Sequence, residues 1–90
     1  MKQIRFSDHS QERILARKLN TELIEFVVRN PEQIVPDEDD EEREIYQSFF
    51  IDANGKEKLL RVVVEETATE LVIISAYPTS QIKKYWKEEL

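Results

Sequence analysis

The stretch from Ile45 to Tyr77 reads IYQSFFIDANGKEKLLRVVVEETATELVIISAY, and its apolar positions recur every second residue. Ile45, Gln47, Phe49 and Ile51 fall on one side of an extended chain, and Tyr46, Ser48 and Phe50 on the other. Asp52-Ala53-Asn54-Gly55 then carries the Asn-Gly pair of a tight hairpin, because both residues tolerate positive φ. Lys58 to Glu66 is β-branched and long enough for a central strand, and Thr67-Ala68-Thr69 supplies a second turn. Leu71 to Tyr77 is the most apolar segment, as a strand buried on both faces requires, and Pro78 is expected to stop it. Three strands joined by two short turns make an antiparallel meander.

Outside this stretch the period is mostly helical. Lys2 to Phe6 still alternates and reads as a short first strand. Ser7 and Asp8 offer caps, and Asp8 with Gln11 resembles a capping box for a helix from His9 to Lys18 with the stripe Ile14, Leu15 and Leu19. Asn20 and Thr21 cap a second helix whose stripe is Leu23, Ile24, Val27 and Val28, widened by Phe26. Asn30-Pro31 ends it, since proline disfavours the helical state of the residue before it. After the meander, Thr79 or Ser80 caps a last helix that presents Ile82, Tyr85 and Trp86 to the sheet. The expected order is β-α-α-β-β-β-α, an α+β fold in which a helical hairpin packs on an antiparallel sheet. The chain reads as a single domain over residues 1–90, without an internal repeat.

Composition narrows the function. A chain of 90 residues buries only about 60–65% of the surface its unfolded form exposes, so the core is shallow. There is no cysteine, hence no disulfide and no thiolate zinc site, and a single histidine gives metal catalysis little support. No metal and no cofactor are expected. The one glycine, Gly55, belongs to the hairpin, so no glycine-rich phosphate loop is available. No apolar run approaches the ~20 residues of a membrane span, and the N-terminus lacks a signal-peptide core, so a cytoplasmic protein is expected.

The net charge of −6 has one source. Residues 37–44, DEDDEERE, hold seven acids and one arginine, so the remaining 82 residues balance to zero. Residues 36–44 are therefore read as an acidic loop. It serves as a solvated, solubilising segment, docks on a basic partner, or covers a basic site in the same chain.

Three constellations are candidates for chemistry. His9, Arg13 and Arg17 are spaced by four and line one helix face, with Glu12 beside His9. Such a set binds phosphate and moves protons, or is simply a solvent-facing helix side with Glu12 paired to a cation. Arg61 interrupts KLLRVVVEE, as a snorkelling surface residue or as a planted anion-binding group. In YPTSQIKKYW, Tyr77, Tyr85 and Trp86 accompany Lys83 and Lys84, a combination that stacks bases and neutralises phosphate, or that covers the sheet.

Taken together, HSQERI, VVRNPEQI, LLRVVVEE, LVIISAYPTS and IKKYW, in that order and spacing, resemble a small bacterial family of unknown function, frequent in cyanobacteria. Its fold is similar to that of the RelE and BrnT toxins. The resemblance covers nearly the whole chain. It implies a RelE-like fold and a metal-independent ribonuclease that attacks with the ribose 2′-OH and is held by an antitoxin protein. Carried onto this sequence, it makes His9 and Tyr77 the catalytic candidates and Arg13, Arg61 and Lys84 the phosphate-binding ones. RNA and an antitoxin are the partners it implies, and no membrane. The rival expectation is a non-catalytic interaction domain, a homodimer pairing through an exposed strand or the acidic loop.

Overall fold

A computed structural model describes residues 1–88. In chain order the elements are β1 (Gln3–Phe6), α1 (Asp8–Ala16), α2 (Thr21–Arg29), β2 (Gln33–Pro36), β3 (Arg43–Ile51), β4 (Glu57–Glu66), β5 (Glu70–Thr79) and α3 (Ile82–Tyr85). The strands form one sheet in the order β1-β5-β4-β3-β2. The fold is α+β, and the meander β3-β4-β5 is antiparallel with β4 at the centre of the sheet.

The sheet departs from the sequence expectation in three places. It is mixed rather than antiparallel, because β1 pairs in parallel with β5, Gln3 opposite Glu70 through Phe6 opposite Ile73. A period of two reveals a strand but not its partner, and these partners are far apart in sequence. Second, Gln33–Pro36 forms an additional edge strand paired with β3, so the order is β-α-α-β-β-β-β-α. Four residues between Pro31 and Pro36 are too few to show alternation, and an edge is where proline is tolerated. Third, Pro78 does not stop β5; it sits inside the strand opposite Leu60. Beyond Ile73, β5 has β4 on one side only, so Pro78 also lies at an open edge.

A bulge sets which way the end of β5 faces. Val63 opposes Ser75 but Val64 opposes Ile73, leaving Ile74 as the extra residue. Ile73 and Ala76 consequently share the helix-facing side despite their odd spacing. Tyr77 is turned to the opposite face, where strict alternation from Ile73 would not put it.

The helices cover one face. Ile14, Ile24, Val27 and Val28 pack with Tyr46, Leu60, Val62, Val64, Ile73 and Ala76. Ser7, not Asp8, caps α1: its side chain accepts from the Ser10 N–H, while the Gln11 amide donates to the Phe6 carbonyl. The helix ends at Ala16, short of the expected Lys18, because Lys18 adopts φ 55° and closes the end. The Leu19 N–H donates to the Ile14 carbonyl and the Lys18 N–H to that of Leu15, the paired bonds of a Schellman motif. Ser10 and Ile14 are the buried residues of α1, whereas Leu15 lies off that side and is 80% exposed, as Phe26 is at 62%. Asn20 caps α2 as expected, accepting from the N–H groups of Glu22 and Leu23. The hairpin after β3 has the three-residue loop Ala53–Gly55, with Gly55 at φ 79° and Asp52 N–H donating to the Lys56 carbonyl.

The other face is covered only in part, by the segment around α3. This helix has four residues; the Thr79 hydroxyl steadies its approach by accepting from the Gln81 N–H. Trp86 lies against Phe49 with ring centroids 4.6 Å apart.

Candidate functional site

On the face away from the helices, one register row crosses four strands: Gln33 on β2, Gln47 on β3, Arg61 on β4 and Tyr77 on β5. Four polar side chains on a sheet face that also carries Val35, Ile45 and Leu59 need hydrogen-bond partners, and they find them in one another and in the backbone of the C-terminal segment. The Arg61 Nε donates to Gln47 Oε1 at 2.9 Å, and its Nη1 to Tyr77 Oη at 2.5 Å. Gln47 Nε2 in turn donates to Gln33 Oε1 at 2.8 Å and to the Tyr85 carbonyl at 3.2 Å. Gln33 binds both backbone groups of Lys87, accepting from its N–H and donating to its carbonyl. The two glutamines thus tie the C-terminal segment across the sheet.

That tie carries Tyr85 onto Arg61. The guanidinium carbon lies 4.0 Å from the Tyr85 ring centroid and 5.7 Å from that of Tyr77, and the two rings meet edge to face. Arg61 is 6% exposed and Gln47 is fully buried. Among the described residues no carboxylate lies within ion-pairing distance of Arg61. Burying a cation costs several kcal/mol, and here hydrogen bonds and aromatic faces offset that cost without neutralising the charge.

Arg61 opens into a cleft of about 330 Å³. Tyr77, Lys84, Tyr85 and Lys87 line it with Arg61, as do Asp37, Glu38 and Asp39 of the acidic loop. This loop is shorter than the expected 36–44: Pro36 ends β2, and Arg43 and Glu44 begin β3. Two aspartates shape it, Asp37 accepting from the Asp39 N–H and Asp40 from the Glu42 N–H, each at 2.9 Å. Arg43 holds its far end, with Asp40 and Glu65 both 3.4 Å away.

His9 and Arg13 line a neighbouring groove with Arg43, Ser7 and Ser75. Asp37, Asp39 and Val63 border both this groove and the Arg61 cleft. Arg13 Nε donates to His9 Nε2 at 2.6 Å. Nε2 is the acceptor in that bond, so this arrangement needs a neutral imidazole with its proton on Nδ1. Arg17 leaves the group and donates to the Ala76 carbonyl on the open edge of β5. Glu12 makes no ion pair among the described residues.

The sequence candidates therefore fall into two adjoining sets. Arg61, Tyr77 and Lys84 share one cleft, and His9 and Arg13 lie next door. Gln33, Gln47 and Lys87 were not among the candidates. A glutamine between Ile45 and Phe49 on an otherwise apolar face was the one available sign. Among the described residues no three or more His, Cys, Asp or Glu side chains are grouped to hold a metal. No helix there is long and apolar enough to cross a membrane.

Residues 6–78 match the family model described as Domain of unknown function (DUF4258), and the chain belongs to that family. Comparison with curated proteins and with solved structures finds no match in either.

Proposed function

We propose that this DUF4258 domain is a toxin-like, metal-independent ribonuclease that grips the RNA backbone in the Arg61 cleft. The observation that carries the reading is a buried guanidinium with no carboxylate partner among the described residues, held by Gln47 and Tyr77 and open to a cleft with Lys84. A charge planted at such cost suits an anionic ligand that completes the pairing. Tyr85, stacked on Arg61, offers an aromatic surface beside the cation, as single-stranded nucleic acid prefers.

In the proposed reaction the ribose 2′-oxygen attacks phosphorus and the bond to the 5′-oxygen breaks, leaving a 2′,3′-cyclic phosphate and a 5′-hydroxyl. His9 Nε2, once released by Arg13, takes the proton from the 2′-OH. Tyr77, whose oxygen accepts from Arg61, keeps its own proton to give to the departing 5′-oxygen. Arg61, Lys84 and Arg13 stabilise the charge gathered on the phosphoryl oxygens. An antitoxin protein that covers the cleft is the expected partner.

The test is digestion of single-stranded RNA by the purified chain in the presence of a chelator. The reading expects products ending in cyclic phosphate. His9→Ala and Tyr77→Phe should each lower the rate by about 10²-fold or more. Intact RNA, or cleavage unchanged in both variants, would contradict it.

The rival reading, a non-catalytic interaction domain, is favoured by Leu15 and Phe26, two large apolar side chains left exposed on the helical layer. Strand pairing is the less favoured route to a homodimer, because β2 carries Pro36, the stretch of β5 beyond β1 carries Pro78, and the remaining edge strand, β1, is only four residues long. On this reading a partner is captured through the helices and His9→Ala has no effect on its capture.

A further inference from the structure

The acidic loop sits where a solubilising tail has no reason to be. Asp37, Glu38 and Asp39 line the same cleft as Arg61, Lys84 and Lys87. Three carboxylates and three cations line it, so the formal charge of the cleft cancels. Asp37 and Asp39 also border the His9 and Arg13 groove. One short segment therefore screens both sets of cations, and it supplies much of the acidity that makes the whole chain negative.

The way the loop is held matters as much as its place. Arg43 bridges Asp40 to Glu65 on β4 and so pins the far end. Asp37, Glu38 and Asp39 enter no ion pair among the described residues. Backbone groups shape this near half: the Asp37 N–H donates to the Arg43 carbonyl at its base, the Asp39 N–H to the Asp37 carboxylate, and the Asp40 N–H to the Asp37 carbonyl. Carboxylates close enough to lower the potential of the cleft, yet not locked to its cations, can be moved aside at the cost of few bonds. Arg61 is the independent sign that something anionic belongs there, since it is buried at the same cleft with no carboxylate within ion-pairing distance among the described residues.

We propose that Asp37–Asp39 is a built-in electrostatic competitor of the RNA backbone, a gate that keeps the Arg61 cleft from binding polyanions until it is displaced. This rests on the RNA reading above. It predicts that the chain holds RNA weakly and that neutralising this one segment exposes an affinity already present in Arg61 and Lys84.

The experiment measures binding of a fluorescent, single-stranded 2′-O-methyl RNA oligonucleotide, which cannot be cleaved, to the full chain. One variant combines Asp37→Asn, Glu38→Gln and Asp39→Asn, changes that keep the acceptor oxygen of the turn. A charge-matched control combines Glu22→Gln, Glu25→Gln and Glu57→Gln, exposed positions outside the cleft. The gate predicts about tenfold or greater tightening for the loop variant, lost again when Arg61→Met is added and reduced at high salt. The control should change affinity by no more than roughly twofold, as exposed, screened charges do. Equal tightening in both variants would mean that net charge alone acts, and would overturn the gate. Arg61-dependent binding that the loop substitutions leave unchanged would also overturn it, while sparing the RNA reading. If neither the chain nor any variant binds, both fall.

Discussion

Arg61 is buried as a charge but bonded as a polar group, and the two properties respond differently to substitution. Truncation to alanine leaves Gln47 Oε1 and Tyr77 without their donor and opens a cavity, each an expense of about 1–3 kcal/mol. Methionine fills the space and removes the buried charge, whose desolvation no longer has to be offset. Arg61→Met is thus expected to keep stability within about 1 kcal/mol of the parent in urea unfolding, while RNA affinity falls by at least about tenfold, the scale of one lost charged hydrogen bond. A large loss of stability together with unchanged affinity would make Arg61 a structural residue. Its position in KLLRVVVEE was legible in the sequence, and so were Tyr77 and Lys84 as companions. Its burial was not, because that depends on Gln47 and Tyr77 lying opposite it, and register between strands is not written in either strand alone.

Among the elements, those governed by local chemistry were the readable ones. The Asn20 cap, the stripe of α2, and the meander follow from residues within a few positions of one another. The parallel pairing of β1, the edge strand β2, and the passage of β5 through Pro78 depend on which neighbour happens to be present or absent. The bulge at Ile74 belongs with these: it aims Tyr77 at Arg61, and nothing in VIISAY announces it. Two predictions belong at this scale. Lys18 holds φ 55° at the end of α1, a conformation that costs a side-chain-bearing residue and not glycine, so Lys18→Gly should stabilise the chain by about 0.5–1 kcal/mol. Thermal unfolding checks it; a lower midpoint would mean the lysine makes compensating contacts. In the β3-β4 hairpin, Asp52 is held below the usual carboxylate range, chiefly by the Lys56 N–H and also by Lys58 and the Asn54 N–H, against a smaller opposing effect of burial. A depressed folded-state pKa contributes stability above the unfolded value and loses it as pH falls through the folded one. The hairpin should therefore weaken only on the acid side of the ordinary carboxylate range. Asp52→Asn, which retains an acceptor for both N–H groups, should flatten that part of the pH-stability profile measured by thermal unfolding. An unchanged acid limb would remove Asp52 from the account.

At the scale of the whole molecule, the sheet has one well-covered face and one that is only strapped. The helices bury the first, with Ile24, Leu60, Val62 and Ile73 essentially out of solvent. Across the second runs the segment holding Tyr85, Trp86 and Lys87, fastened by Gln33, Gln47 and Phe49. A face left partly open on a small domain is a place for a ligand, and here the polar row, the aromatic rings and the acidic loop all converge on it. The sequence disclosed that acids and cations were segregated along the chain, and from that the option of a covered basic site. It could not say that folding would set Asp37–Asp39 against Arg61, since that needs β2, the one strand the pattern did not reveal. The most direct test of the central claim is an NMR titration of the isotopically labelled chain with a non-cleavable single-stranded RNA. The Arg61 side-chain Nε–Hε resonance should shift and saturate together with signals from Tyr77, Lys84 and the Asp37–Asp39 amides. Shifts confined to the exposed helical surface around Leu15 and Phe26, with the Arg61 resonance unmoved at saturation, would contradict it.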